Sequence, residues 1–174
     1  LQQNEKLQSF YRYEVSLKGI EQSIHARKQF ATNRELLVEA LKQQYNGIAF
    51  TQKQQKNMDA LLNENTFTVT TAHQPNIFTG PLYFIYKIIH AIKLADELNE
   101  RYSAQHFVPV YYMGSEDADL DELGFINLNG EKLVWQTQQT GAVGRMKVDK
   151  DFVKLIQSIE GQIGIYTCLL YTSP

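Results

Sequence analysis

Hydrophobic positions fall into two regimes along the chain. Up to residue 65 they are sparse and helically spaced. Ser16 precedes Leu17, Ile20 and Ile24, a capped helix with one apolar face. Thr32-Asn33-Arg34-Glu35 reads as a capping box ahead of Leu36, Leu37, Ala40 and Leu41, with Asn46-Gly47 as its stop. Thr51 and Gln54 form a second box, before Met58, Leu61 and Leu62. These helices are glutamine-rich outside and thinly apolar inside, as a layer packed on something else would be. From Thr66 the pattern changes. Thr66–Ala72 is short and β-branched, a strand. About Pro81 to Arg101 is a helix, apolar nearly all round at first and amphipathic later, which predicts burial on more than one side. His106–Gly114 is a second strand. Strand, helix, strand predicts a parallel pair with a right-handed crossover. Asn129-Gly130 between apolar runs predicts a hairpin, Thr140–Arg145 a glycine loop, and Asp149–Glu160 a last amphipathic helix.

The expected fold class is therefore α/β: a Rossmann-like core with parallel strands, an N-terminal helical layer and one β-hairpin, incomplete because truncated. Residues 1–65 are read as the helical segment, 66–164 as the first part of the core. The last seven residues, Cys168 to Pro174, match the translation of a library-preparation adapter, and the chain opens on Leu1 rather than Met. Residues 165–174 are thus expected to be a non-native tail, and the only cysteine receives no role. A net charge of −2 gives no basic field for nucleic acid. No apolar run reaches membrane-spanning length; Lys87 and His90 interrupt the longest. The absence of a cysteine framework favours a reducing cytoplasm.

Ligands of open parallel sheets sit beyond the carboxyl ends of the strands. Two segments reach that edge. In 72–80, His73 and Gln74 leave the strand, and Thr79 or Gly80 is placed to cap a helix opening on Pro81, where a missing N–H costs nothing. Free N–H groups and the helix dipole there suit a carboxylate or phosphate. The plainer reading is that His73 and Gln74 only satisfy loop backbone. In 114–123, Ser115 is followed by Glu116, Asp117, Asp119, Asp121 and Glu122. Such acids either hold a magnesium–nucleotide or an ammonium group, include a general base, or complement a helix dipole behind a Ser115 cap. Glu116, Asp117 and Asp119 are the stronger site candidates. Arg145, after two glycines, either forks onto an anion or sits in a plain loop. Lys87 either snorkels or reaches the ligand edge. His25, His90 and His106 read as surface or packing residues, and Tyr11, Tyr13, Tyr83 and Tyr86 as core. No dedicated metal site is assigned.

"TAHQPNIFTGPLYFIYKIIHAIKLADEL" followed by "VPVYYMGSEDADLDEL" resembles the cysteine-adding enzymes of bacillithiol biosynthesis, the cysteine ligases, over Leu1 to about Gly164. FTGPLY, then IYK, then SED about thirty residues on, is a specific pattern. The resemblance implies a core similar to that of nucleotidylyl-transferring enzymes, a dimerising coiled coil beyond Gly164, and joining of L-cysteine to the glucosamine amine of glucosaminyl-malate in the cytoplasm. It implies a homodimer, with no nucleic-acid or membrane partner. It carries site roles onto His73-Gln74, Phe78–Tyr83 and Ser115-Glu116-Asp117. Many relatives have histidine where this chain has Ala118 and another near Phe125, which makes His73 the substitute acid–base group. By analogy with related folds, ATP, with or without Mg²⁺, is expected to activate the cysteine carboxylate. His73 and the helix start would hold the anion, Glu116 and Asp117 the amine or a magnesium ion, and Arg145 the developing charge. Two other readings remain: a non-catalytic nucleotide- or sugar-binding module, and adenylyl transfer to another acceptor. The piece alone is expected to be inactive.

Overall fold

The computed structural model describes residues 5–76, 80–117 and 119–164. After a 3₁₀ turn at Glu5–Phe10 come α1 (Leu17–Arg27), α2 (Arg34–Gln44) and α3 (Gln52–Ala60). Then follow β1 (Thr66–His73), α4 (Leu82–Arg101) and β2 (His106–Met113). A 3₁₀ turn at Ser115–Asp117 leads to α5 (Leu120–Leu123) and the hairpin β3 (Phe125–Leu128) and β4 (Glu131–Val134). A last 3₁₀ turn, Val143–Arg145, precedes α6 (Lys150–Ile163).

β1 and β2 are neighbours in one sheet and run parallel. The register is visible at both ends: His106 N donates to Asn65 O (3.0 Å) and Gly114 N to His73 O (3.0 Å), the same offset of 41 residues in each case (106 − 65 and 114 − 73). This is the α/β arrangement that the strand, helix, strand order predicts. The chain forms two compact units, and the boundary between them passes through β1, α4 and β2, after Val69, Lys93 and Pro109.

The first unit holds α1–α3 with the adjoining parts of β1, α4 and β2. Its core is Phe67, Ala95, Leu98 and Phe107, with Ile20 and Ile24 of α1 packed against it. Ser16 caps α1, accepting from Gly19 N, and Thr51 and Gln54 close their capping box on α3. Two expectations are corrected. α2 is capped by Asn33, not Thr32, because the Thr32 hydroxyl accepts from Arg27 (2.5 Å). The inner face of α2 is Arg34, Val38 and Leu41, while Leu36 and Leu37 stay exposed. Arg34 accounts for that rotation: its guanidinium donates to the carbonyls of Leu61, Glu64 and Thr66 at 2.9–3.3 Å, pinning α2 to the α3–β1 connection.

In the second unit the hairpin turns on Asn129 (φ 51°) and Gly130 (φ 82°), the two positive φ values a type I′ turn requires. Leu128 pairs with Glu131 across it. Trp135, Leu155 and the fully buried Ile159 form the core beneath. Burial of each such side chain stabilises the fold by about 1.5–3 kcal/mol. The expected burial of the early α4 is corrected: Leu82, Tyr83, Tyr86 and Ile89 are exposed. Periodicity records that these positions are apolar; it does not record whether an element covers them. No described helix is long and apolar enough to cross a membrane.

Candidate functional site

The bond from Gly114 N to His73 O fixes the site's frame, because it sets the carboxyl ends of β1 and β2 side by side. Whatever follows His73 and Gly114 therefore leaves from one rim, within the second unit.

On the β1 side, His73 is held on all sides. Its Nε2 lies 2.8 Å from the Tyr83 hydroxyl, and its Nδ1 lies 3.0 Å from both the Gln74 carbonyl and Asn76 Nδ2. Asn76 also donates to Gln74 O at 2.9 Å. The imidazole packs against the Tyr83 and Phe84 rings, at 5.1 and 5.3 Å between centroids. Its backbone carbonyl accepts from the Tyr111 hydroxyl (3.1 Å), whose pKa burial raises. Lys87, one helical turn beyond Tyr83, reaches back so that Nζ donates to Ala72 O (2.8 Å) and lies 5.9 Å over the Tyr83 ring. Lys87 thus reaches the strand edge. Gly80 has φ +61°, and a Cβ there would sit 2.5 Å from Asn76 Oδ1. Its positive φ and the close approach of Asn76 are conditions that only glycine meets without strain. Pro81 directly precedes α4, and its carbonyl accepts from Phe84 N (3.0 Å). Thr79 and Phe78 lie outside the described residues.

On the β2 side, Glu116 accepts a 2.6 Å bond from the Tyr112 hydroxyl. That bond holds the Glu116 carboxyl below its ordinary range and pushes the Tyr112 phenol up. Glu116 is therefore anionic at neutral pH. Ser115 does not cap a continuous helix. The chain makes one 3₁₀ turn, and Asp119 then caps α5 by accepting from Asp121 N (2.8 Å). Glu116, Asp119 and Asp121 line an open polar depression of about 530 Å³ with Thr140, Gly141 and Ala142 of the glycine loop. Asp117 ends the 3₁₀ turn. Among the described residues no three His, Cys, Asp or Glu side chains converge to hold a metal ion.

The glycine loop is aimed by Asp149 and Gln139. Asp149 caps α6 through Phe152 N (2.8 Å) and accepts from Trp135 Nε1 (2.8 Å) and the Thr137 hydroxyl (2.7 Å). The Phe152 amide and these two donors hold its carboxyl down at about 2. Gln139 pairs with both the N–H and the C=O of Lys147 at 2.9 Å, closing the loop between them. The Val143–Arg145 turn then packs on the Ser115–Asp117 turn. The approach is so close that a Cβ on Gly144 would overlap Ser115 Cβ and lie 2.9 Å from its carbonyl oxygen. Arg145 is exposed on this turn, and its guanidinium has no hydrogen bond or ion pair among the described residues.

The rim brings His73 and Gln74 next to Gly114 and Ser115, and gathers Glu116 and Asp119 at the glycine loop. The residues alone put Tyr83 with the core, while the resemblance put it in the site segment Phe78–Tyr83; neither gave it as a partner of His73, and it is 54% exposed. Sequence reasoning also missed Asn76, Tyr111 and Tyr112. The four-residue spacing of Tyr83 and Lys87 was the available signal, since it puts both on one helix face.

The description "Bacillithiol biosynthesis BshC, N-terminal Rossmann-like domain" matches residues 1–169. Similar curated proteins carry the name "Putative cysteine ligase BshC". The one from Flavobacterium psychrophilum is 40% identical over 168 residues, 95% of this chain and 32% of that protein. That from Flavobacterium johnsoniae is 40% identical over 151 residues, 86% of this chain and 28% of its own length. The Cytophaga hutchinsonii protein is 42% identical over 145 residues, covering 83% and 28%. The chain spans about a third of the length of these relatives. With the parallel strand pair and the polar rim beyond it, this match places the chain in the bacillithiol biosynthesis BshC family, in its N-terminal Rossmann-like domain.

Proposed function

We propose that the full-length protein joins L-cysteine to the amine of glucosaminyl-malate, an amide-forming step of bacillithiol biosynthesis in the cytoplasm, and that it works as a homodimer. The observation that supports this best is the chemical asymmetry of the rim. Its β1 side offers the Lys87 ammonium, which suits a carboxylate or phosphate, beside the exposed Tyr83 phenol. Its β2 side offers the ionised Glu116 beside Asp119 and Asp121, which suits an ammonium group. Amide formation needs a bound carboxylate and a bound amine, brought together and oriented. Arg145, on the turn that abuts Ser115, is placed to steady negative charge as it develops on the carbonyl oxygen.

An unactivated carboxylate does not condense with an amine in water, so the reading includes ATP. Lys87 and the turn at Gly80 are the residues suited to its phosphates. Glu116, with Asp117 beside it, is suited to a Mg²⁺ ion, which takes one or two carboxylates together with phosphate oxygens. The nucleotide would supply a leaving group on the cysteine carboxylate.

The test is product formation by the full-length protein from cysteine, glucosaminyl-malate and ATP, followed by mass spectrometry. Glu116→Gln and Lys87→Met should each lower kcat/KM by about 10-fold or more, as lost charge-assisted contacts do. Unchanged turnover in both variants would remove the site from the reaction. Binding of nucleotide or sugar without turnover would favour a non-catalytic module instead.

A further inference from the structure

We infer that Tyr83 is the group that exchanges a proton with the substrate amine, and that His73 acts through it as a positioning and proton-holding residue. The inference rests on the ligase reading for its reaction, but its geometry stands apart from it.

The imidazole has no nitrogen left to offer a ligand. Nδ1 is taken up by the loop, 3.0 Å from the Gln74 carbonyl, and Nε2 by the Tyr83 hydroxyl at 2.8 Å. The Tyr83 and Phe84 rings lie 5.1 and 5.3 Å from the imidazole centroid, tilted to it by 47° and 79°. Tyr83, more than half exposed, is the outward end of the pair. The Gln74 carbonyl oxygen has two lone pairs and can accept from both Nδ1–H and Asn76 Nδ2, which puts those two donors side by side as found. In that tautomer Nε2 is unprotonated and accepts from the Tyr83 O–H.

The proton balance follows. As the amine nitrogen attacks the activated carboxyl carbon, a C–N bond forms and the bond to the leaving group breaks. One proton leaves nitrogen for Tyr83 Oη, and the proton already on Oη passes to His73 Nε2. Tyr83 ends unchanged and neutral. His73 ends as an imidazolium whose two N–H groups each have an acceptor, Gln74 O and Tyr83 Oη. Among the described residues, the titratable groups recorded against the pair are Lys87, 5.9 Å from the centre of the Tyr83 ring, and Tyr111, bonded to the His73 carbonyl.

Two measurements on the full-length protein decide this. The first is independent of activity. Nitrogen NMR of the neutral His73 ring should show Nε2 without a proton and Nδ1 with one; the opposite tautomer overturns the relay. The second is kinetic. Tyr83→Phe, which frees Nε2, should lower kcat by about 10²–10⁴-fold with KM little changed. His73→Gln should cost a similar factor, and the double variant little more than either alone. Fluorinated tyrosine at position 83 should move the pH profile of kcat to lower pH, which a merely structural hydroxyl would not do. If His73 acts on substrate directly, Tyr83→Phe keeps its turnover, and the inference fails. If the unaltered protein forms no amide from cysteine, the ligase reading fails, and the NMR result still decides the tautomer.

Discussion

Gly144→Ala perturbs the rim at one defined point. Gly144 does not have a positive φ, so alanine there strains no backbone dihedral, and its effect is steric alone. The new methyl would overlap Ser115 Cβ and lie 2.9 Å from Ser115 O and 3.1 Å from Ser115 Cα. Ordinary contact begins near 3.4 Å, so the two turns must separate by at least 0.5 Å (3.4 − 2.9), and by more to clear the Cβ. The neighbour is backbone, which cannot swing aside as a long side chain would. Overpacking of this kind costs about 1–3 kcal/mol. The displaced residues are Ser115 and Glu116 on one turn and Arg145 on the other. Misplacement of about 1 Å in a positioned site costs on the order of 10²-fold in rate. The expected result is a kcat lowered by about 10–100-fold, with a lower urea midpoint. Adding Ser115→Gly removes the Cβ overlap but not the carbonyl contact, so the double variant should recover part of the lost stability. The measurement is a double-mutant cycle on urea unfolding, read beside turnover. Wild-type stability and rate in Gly144→Ala, or no relief from Ser115→Gly, would refute the argument that these turns are held by close approach.

Two further predictions concern α6 and its cap. Gly161 is helical, faces open space where an alanine methyl would lie and lacks a positive φ, so Gly161→Ala should stabilise by about 0.5–1 kcal/mol in urea titration; a loss would mean that this face of α6 is covered in the full-length protein. The Asp149 carboxyl is held at about 2 in the folded state against 3.8 ordinarily, so its contribution is fully present above about pH 4 and disappears as pH falls through about 2. The Trp135 indole N–H resonance should therefore shift over that window, and the shift should be absent in Asp149→Asn; an unmoved resonance in the unsubstituted protein would contradict the bond between them.

How much of this was legible in the chain depends on how local each cause is. The Asn129-Gly130 turn, the Thr51/Gln54 box and the Ser16 cap are decided within four residues, and the structure forms each where the residues indicate. The common rim followed from directionality alone: a strand, a crossover and a second strand must bring His73 and Gly114 to the same end. What failed to show had distant causes. Leu36 and Leu37 open the apolar pattern of α2, yet they are exposed and Val38 is buried, because Arg34 is tethered to carbonyls 27 to 32 residues away. Thr32 and Asn33 are both good caps, and an arginine from the previous helix takes the threonine hydroxyl and leaves the cap to asparagine. Tyr83 belongs to the same class. Its ring is apolar enough to be assigned to a core, and only the fold shows that His73, ten residues earlier, has turned toward it. The glycine loop is the extreme case. Nothing in Thr140–Arg145 indicates that Gly144 must lie against Ser115, because the restriction comes from a turn 29 residues upstream (144 − 115) and reaches the loop only through Gln139 and Asp149. A histidine, a serine and an acid could be picked out by type, and Tyr83 only as part of a matched segment; the contact of the phenol with His73 and that of Gly144 with Ser115 could not, since each depends on how separate segments fold together.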